Sequence, residues 1–303
     1  MATSPDVAIV VDSACCLPSD LLRRWNITQV PHELVIEDRS YRDGVDINPD
    51  DFYKILRGDR VVPTTVAPQP QAFLDGMLAA SESASNIVCI TVASNFSVAN
   101  RSAQAAVKMA GNKLSHCRVK VMDSQAAAGA LGLIALAAAR WAHEGCDLDL
   151  VSAQIDRLIP RVNMLAFLES FDYLNRSGRV SKIKAWTGSL LGVRPLTELQ
   201  GGQARLLERP RSRRRAMDRV AAIMEHRVGP APVVVNIMEA DAAEDALVME
   251  RRIREVVDCR ELFISQFTPV MGAHTGPGLL GVAFYTDEDS LDLCSSMERK
   301  QGS

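Results

Sequence analysis

The fold is decided by the stretch Ile87-Val-Cys-Ile-Thr-Val92, with the polar Ala93-Ser-Asn-Phe-Ser97 and the alanine-rich segment that runs to about Ala110. A short apolar run rich in β-branched residues predicts a buried strand, and the alanine-rich segment predicts a helix. Another apolar run, Val119 to Met122, predicts the next strand, and a second alanine-rich helix runs to His143. Strand, polar loop, helix and strand in this order predict a βαβ unit of a parallel sheet.

The residues before this unit extend the same alternation. We predict strands at Val7–Asp12 and Ile27–Glu33, a helical segment through Trp25, a hairpin in the polar block Glu37–Asp46, and helices at Asn48–Leu56 and after Pro70.

Small polar residues follow three of the predicted strands, at Asp12-Ser13, at Ser94 to Ser97 and at Asp123-Ser124. Ligands of parallel sheets bind beyond the carboxyl ends of the strands, so these residues are candidates for binding an anion or a polar headgroup. The same residue types also cap helices. The two roles are compatible, because a helix N-terminus itself favours an anion.

The pattern changes after Gly145. A helix is predicted from Leu148 to about Val162, followed by strands near Met164–Leu168, Ala204–Leu207, Val233–Ile237, Glu261–Gln266 and Gly281–Tyr285. These segments predict an α+β unit with a largely antiparallel sheet. The fold class is therefore α/β, with an N-terminal parallel-sheet α/β domain (1–162) and a C-terminal α+β domain (163–303).

A single histidine lies among three glycines and a proline in Gly272-Ala-His274-Thr-Gly-Pro-Gly278. Glycine permits close backbone approach to a ligand, and histidine changes charge near neutral pH. A ligand-binding loop and an ordinary tight turn with a surface histidine fit this spacing equally well.

Composition restricts the class of protein. The chain has 303 residues, of which 47% are hydrophobic, and contains no apolar run close to the ~20 residues that span a bilayer. The N-terminus lacks a basic region followed by a long apolar region, which predicts no signal peptide and a cytoplasmic location. Seven cysteines form no CxxC pair and no metal-binding spacing, so we expect reduced thiols, no metal and no cofactor.

Charge is unevenly distributed. The formal net charge is −3, but the segment from Arg157 to Arg227 has 15 Lys/Arg against 6 Asp/Glu, a balance of +9 that leaves −12 for the remainder. The densest basic run, Arg209 to Arg215, has no interleaved aromatic residues, so nucleic-acid binding is not predicted. The run fits either a surface that docks a protein partner or transiently contacts an anionic membrane, or a solvated helix start.

These motifs together resemble the DegV family of bacterial fatty-acid-binding proteins, over roughly Val7 to Tyr285. The shared pieces follow in the family's order: Val-Asp12-Ser13 with Leu17-Pro18, Pro63 to Pro68, Ser94 to Ser97, Val121 to Ser124, Leu174 to Val180, Leu191 to Pro195, and Gly272 to Gly278.

The resemblance implies that the protein holds one long-chain fatty acid between two domains, as a carrier and not as an enzyme. The family's carboxylate-binding threonine and serine match Thr65 and Ser97, and the arginine and histidine near the headgroup match Arg179 and His274. Some members present the carboxylate to a separate ATP-dependent fatty-acid kinase subunit that makes acyl phosphate. The chain departs from the family's pattern at Val66, Ala67, Val98, Ala99 and Ser177. Fewer polar groups around Thr65 predict either a less firmly held carboxylate or a preference for another lipid headgroup. Val98 also places a side chain where the family's pattern predicts close backbone approach at Ser97.

Two other functions remain open from the residues alone. One is a hydrolase or transferase acting on a lipid-like substrate, with Ser97 as nucleophile, His274 as base and Asp12 or Asp123 as orienting group. Ser97 is not in a Gly-x-Ser-x-Gly turn, which counts against this alternative. The other is a regulatory module that binds an anion through the basic segment.

Overall fold

The computed structural model describes residues 5–58, 61–178, 183–184 and 193–287. The first half of the chain alternates strands and helices in the order β1 (Val7–Asp12), α1 (Ser19–Arg24), β2 (Ile27–Val30), β3 (Glu33–Ile36), β4 (Arg39–Arg42), α2 (Pro49–Gly58), β5 (Thr64–Val66), α3 (Pro70–Ser81), β6 (Asn86–Thr91), α4 (Ala99–Ala110), β7 (Arg118–Asp123), α5 (Ala128–His143) and α6 (Leu148–Leu158). The second half contains β8 (Asn163–Phe167), α7 (Asp172–Arg176), β9 (Ile183–Lys184), β10 (Leu196–Gln200), β11 (Gln203–Glu208), α8 (Arg213–Val228), β12 (Val233–Glu239), α9 (Ala243–Val256), β13 (Cys259–Gln266), α10 (Pro269–Thr275) and β14 (Leu280–Thr286).

The first sheet has four parallel strands in the order β2-β1-β6-β7. All six residues of β1 are buried, as expected for a strand covered on both faces. Helices α3 and α4 pack on one face, and α5 and α6 lie on the other. The predicted parallel α/β unit is therefore confirmed.

The second sheet has seven strands in the order β13-β12-β14-β8-β10-β11-β9. Four of its six strand pairs are antiparallel, and the exceptions are β12 with β13 and β11 with β9. The largely antiparallel sheet is confirmed. Every strand of this sheet follows residue 162 and every strand of the first sheet precedes it, whereas the domain boundary at that residue stays a prediction.

Helix α5 lies between the two sheets and contacts β1 on one side and β12 and β14 on the other. Thirteen of its 16 residues are buried, most of them alanine or glycine. A Cβ on Gly132 would lie 2.5 Å from the carbonyl oxygen of Cys15, and one on Gly129 would lie 2.5 Å from Asn236 Nδ2. The alanine-rich composition therefore lets two sheets approach one helix closely enough to share a core.

A third, three-stranded sheet has the order β4-β3-β5. The predicted strand Ile27–Glu33 is in fact two strands, because β2 ends at Val30 and β3 begins at Glu33. The predicted hairpin is present, and its turn places Glu37 and Asp38 at φ of 46° and 64°. Strand β5 was not predicted, since three residues are too short to show a strand period. It pairs with β3 so that Thr65 lies opposite Leu34.

In the described part of the chain, five cysteines are free: Cys15, Cys16, Cys89, Cys117 and Cys259. Cys146 is disulfide-bonded, so the expectation of reduced thiols is wrong for that residue. None of the helices in the described part of the chain is both long enough and apolar enough to cross a membrane.

Candidate functional site

A cavity of about 620 Å³ lies between the loops that follow the first sheet and one face of the second sheet. This volume is in the ~300–1,000 Å³ range of small-molecule sites. Its lining is mostly apolar. The second sheet and its loops contribute Met164, Ala166, Leu168, Leu199, Ala204 and Leu279.

Strand register explains this apolar wall. Leu199 of β10 lies opposite Met164 of β8, and Thr197 lies opposite Ala166. Side chains alternate between the faces of a sheet, so these four share one face. The carboxylate of Glu198 therefore belongs to the other face, where it pairs with Arg205 and Arg227.

Thr65 and His274 meet at this cavity although 209 positions separate them in the chain. Thr65 Oγ1 lies 3.0 Å from His274 Nε2, and both half-buried side chains line the cavity. Strand β5 positions the threonine and α10 positions the histidine. Hydroxyl and imidazole can exchange donor and acceptor roles, so the pair can donate to an incoming anion.

The structure corrects the prediction of a loop around His274, because this residue lies in the last turn of α10. Pro269 occupies the first turn, and Thr268 before it is extended with ψ of 157°. A proline at this position favours a helix start. Gly272 lies inside the helix, where a Cβ would be 2.5 Å from Tyr53 Oη, and the turn follows only at Gly276, at φ of 73°.

Ser97 lines the same cavity, two residues before α4 begins. Its backbone N–H donates to the carbonyl of Ala93 at 3.2 Å, and its Oγ accepts from the N–H of Ala99 at 3.2 Å. Val98 has φ of −88°, which any residue adopts, and its side chain is 46% exposed at the cavity. The valine therefore leaves the backbone at Ser97 unhindered.

The fourth predicted site residue, Arg179, lies outside the described residues. The two residues that precede it, Ser177 and Gly178, line the cavity. Val66 is half-buried in β5, and Ala67 after it also lines the cavity.

The three strand ends that were predicted to bind a ligand differ in whether their residues line the cavity. Ser94 to Ser97 all line the cavity, while their binding of a headgroup stays a prediction. The Asp123 carboxylate instead accepts from the N–H groups of Ser94 and Gln125, and Ser124 Oγ bonds the backbone of Ala126. These contacts shape the loops, and the nearest cavity-lining residue after Ser124 is Ala127.

Asp12, Ser13, His32 and Asp43 form a buried polar cluster, each at most 4% exposed. The Asp12 carboxylate accepts from Val92 N at 2.7 Å and from Ala14 N at 3.1 Å. Burial raises the pKa of Asp12 from 3.8 to about 7. Burial also lowers the pKa of His32 to about 3, so its 3.8 Å contact with Asp12 is not an ion pair at neutral pH.

Asp43 joins this cluster to α10. Its carboxylate accepts from Ser13 Oγ at 2.6 Å and from the N–H of Val270 at 3.1 Å. Burial raises the pKa of Asp43 to about 6. Asp43 and His32 were not predicted as site residues from the sequence, although His32 lines the cavity. The position of Asp43 directly after β4 was the one signal in the sequence that could have identified it.

The contacts do not assemble the hydrolytic triad. His274 Nε2 lies against the hydroxyl of Thr65, and Ser97 Oγ accepts from a backbone N–H. Asp12 and Asp123 are both occupied by backbone N–H groups. Among the residues that the structure describes, no group of three or more His, Cys, Asp and Glu could hold a metal ion.

The basic run begins α8. Ser212 Oγ accepts from the N–H of Arg215 at 3.3 Å, and so caps the helix. Arg213 pairs with Glu169 and Asp245 and donates to the carbonyl of Gly278 at 2.7 Å. The helix-start interpretation is therefore correct, while a docking role for this run stays a prediction.

A second cavity of about 520 Å³ lies between α2 and the start of α9. Five carboxylates line it against three cationic side chains, and several are paired, including Arg57 with Asp241 at 3.1 Å. An acidic, internally paired lining does not favour an anionic ligand, which leaves the first cavity as the candidate site.

The sequence of this chain is similar to those of DegV family proteins. The family model for uncharacterised proteins of the DegV family matches residues 6–287. A DegV domain-containing protein of Streptomyces coelicolor is 34% identical, with 92% of this chain and 98% of that protein covered. One from Caldanaerobacter subterraneus is 30% identical, with the same coverage.

Solved structures agree with the sequence relatives. A DegV family protein from Thermus thermophilus, described for its fatty acid binding, matches with a TM-score of 0.85 at 25% identity and covers 92% of this chain and 99% of its own. The DegV protein of Bacillus subtilis matches with a TM-score of 0.83 at 23% identity, over 93% of this chain and 99% of its own, which shows a shared fold.

Proposed function

The chain belongs to the DegV family, and from this premise we propose that it binds one long-chain fatty acid in the cavity between its two main sheets. The carboxylate lies near Thr65, Ser97 and His274, and the acyl chain lies along the apolar wall. Arg179 joins the headgroup site by its match to the family. The protein is a cytoplasmic lipid carrier without a cofactor or a bond-making step of its own.

One observation carries this proposal: side chains from three distant segments bring two hydroxyls and an imidazole into a single, mostly apolar cavity. A fatty acid has the matching chemistry. Each buried methylene contributes about 0.8 kcal/mol, so some fourteen of them give on the order of 10 kcal/mol before the cost of immobilisation. The carboxylate must keep hydrogen bonds when it leaves water, and the hydroxyls supply them.

The carrier presents its carboxylate to a separate ATP-dependent kinase subunit. On that enzyme a carboxylate oxygen attacks the γ-phosphorus of ATP, and acyl phosphate and ADP are formed. Ser94, Asn95 and Val98 are exposed residues of the cavity lining, so one side of the cavity reaches the surface. An accessible headgroup is what a presenting carrier needs. His274 and Arg179 orient the carboxylate for this transfer.

Ligand titration tests the proposal. Delipidated protein is titrated with palmitate and with hexanoate, which carries the same carboxylate on a shorter chain. We expect palmitate to bind at one per chain and hexanoate to bind at least about a hundredfold more weakly, because ten buried methylenes are lost. Equal affinities would show that the apolar wall is not the acyl site, and the absence of palmitate binding would refute the fatty-acid function.

A second assay tests presentation. Palmitate-loaded protein is added to a bacterial ATP-dependent fatty-acid kinase subunit, and acyl phosphate is measured. We expect product only when both proteins and ATP are present. Product formation by this chain with ATP alone would contradict the carrier role.

A further inference from the structure

Arg101 has an unusual position among the charged residues of the cavity. It is the third residue of α4, it is exposed, and it lines the cavity four positions after Ser97. Across the described ranges it is the only lysine or arginine in the lining, and none of its atoms makes a hydrogen bond or an ion pair there. The residues beside it on α4 are satisfied, because Asn100 donates to Thr91 Oγ1 and accepts from Gln104.

The hydroxyl groups of the cavity do not distinguish charged from neutral headgroups. The hydroxyls of Thr65 and Ser97 bind an alcohol, an amide or a carboxylate with similar geometry. The carboxylate of Glu198 lies on the opposite face of its sheet, where Arg205 and Arg227 neutralise it. A preference for an anion therefore needs a cation, and Arg101 is the one lysine or arginine that the described part of the lining supplies, in addition to the Arg179 assigned from the family.

Helix geometry directs Arg101 to that role. Side chains of an α-helix tilt toward its N-terminus, so the side chain of Arg101 is inclined toward the start of α4, where Ser97 also lines the cavity. Helix α4 has no acidic residue in its first turn to compete for this charge. A guanidinium binds a carboxylate through two parallel hydrogen bonds, and an exposed arginine gives up little hydration to do so.

We propose that Arg101 is a specificity-determining residue whose guanidinium binds the anionic end of the lipid and makes the protein select ionised over uncharged headgroups. This inference rests on the proposed function of lipid binding and adds the headgroup class and the residue that reads it. Arg101 also offsets the polar groups that Val98 and Ala99 do not provide at the start of α4.

The test compares Arg101→Gln and Arg101→Lys with the wild type and with Lys108→Gln. Lys108 is exposed on the same helix and does not line the cavity, so its variant loses the same charge elsewhere. Each protein is titrated with palmitate and with hexadecanol, which has the same chain length and no charge. Thermal unfolding of each variant checks that the fold is intact.

We expect Arg101→Gln to lose about tenfold in palmitate affinity with hexadecanol affinity unchanged, as removal of one charge-assisted pair predicts. Arg101→Lys should regain part of the loss, and Lys108→Gln should match the wild type. Unchanged palmitate affinity in Arg101→Gln, or an equal loss of affinity for both lipids, would overturn the role of Arg101. Neither result would overturn the proposed function. A wild-type protein that binds neither lipid overturns the proposed function and this inference with it.

Discussion

Replacing Thr65 with valine removes one hydroxyl from the proposed carboxylate site and keeps the shape of the side chain. Valine is β-branched like threonine, so β5 and its pairing with β3 should persist. Without ligand the change removes the 3.0 Å contact with His274 Nε2. A neutral hydrogen bond contributes about 1 kcal/mol, so the free energy of unfolding should fall by roughly that amount.

The effect on ligand affinity should be larger than the effect on stability. A hydroxyl that donates to a carboxylate forms a hydrogen bond to a charged group, worth about 1.5–3 kcal/mol. The dissociation constant for palmitate should therefore rise by about 10- to 150-fold in Thr65→Val. Thr65→Ser keeps the hydroxyl and loses only a methyl group, so its affinity should stay within about fivefold of the wild type.

Displacement of a fluorescent fatty acid by palmitate measures these affinities, and urea unfolding measures the stabilities. Palmitate affinity within threefold of the wild type in Thr65→Val would refute the assignment of Thr65 to the headgroup. An equal loss in Thr65→Ser and Thr65→Val would also refute it, because the hydroxyl would then not be the group that matters.

Two further predictions address the cavity wall and the buried polar cluster. Ala166→Phe should place a ring in the acyl site and weaken palmitate binding at least about tenfold while unfolding in urea stays cooperative, and undiminished binding would contradict the location of the acyl chain. Asp43→Asn should change the pH dependence of stability. The folded pKa of Asp43, about 6, exceeds the ordinary 3.8, so the stability that protonated Asp43 contributes is fully present below pH 3.8 and is lost as the pH rises through 6. Urea unfolding from pH 4 to pH 7 should show the wild type losing up to about 3 kcal/mol relative to the variant; a constant difference would show that Asp43 is ionised throughout.

The sequence predicted the two main sheets because their strands carry strong local signals. β1 and β6 contain apolar runs, at residues 7–11 and 87–90, that are bounded by polar residues, and such runs become buried parallel strands wherever helices cover both faces. The alanine-rich composition of α5 predicted a helix. It did not predict that the helix would lie between two sheets, which depends on packing between distant segments.

The local sequence pattern did not predict the segments whose structure depends on contacts with distant residues. β5 has three residues and exists because β3 pairs with it. The segment around His274 resembles a glycine-rich loop, but the proline at its start and the close contact of Gly272 with Tyr53 make it a helix. Asp43 reaches Val270 across 227 positions, a contact that no spacing rule reveals.

Only part of the site could be predicted from the sequence, because long-range contacts also decide which residues meet at the cavity. Thr65, Ser97 and His274 were identified through their resemblance to the family's motifs, and the structure brings all three to one cavity. Their assignment to the carboxylate stays a prediction. Arg101 gave no signal in the sequence, because one arginine on an exposed helix turn is ordinary until the cavity beside it is known.

Native mass spectrometry of the protein purified from a bacterial host, followed by denaturing extraction, tests whether the protein binds one long-chain fatty acid. We expect one C14 to C18 fatty acid per chain, identified by its mass after extraction. An empty protein that takes up no added fatty acid would contradict it.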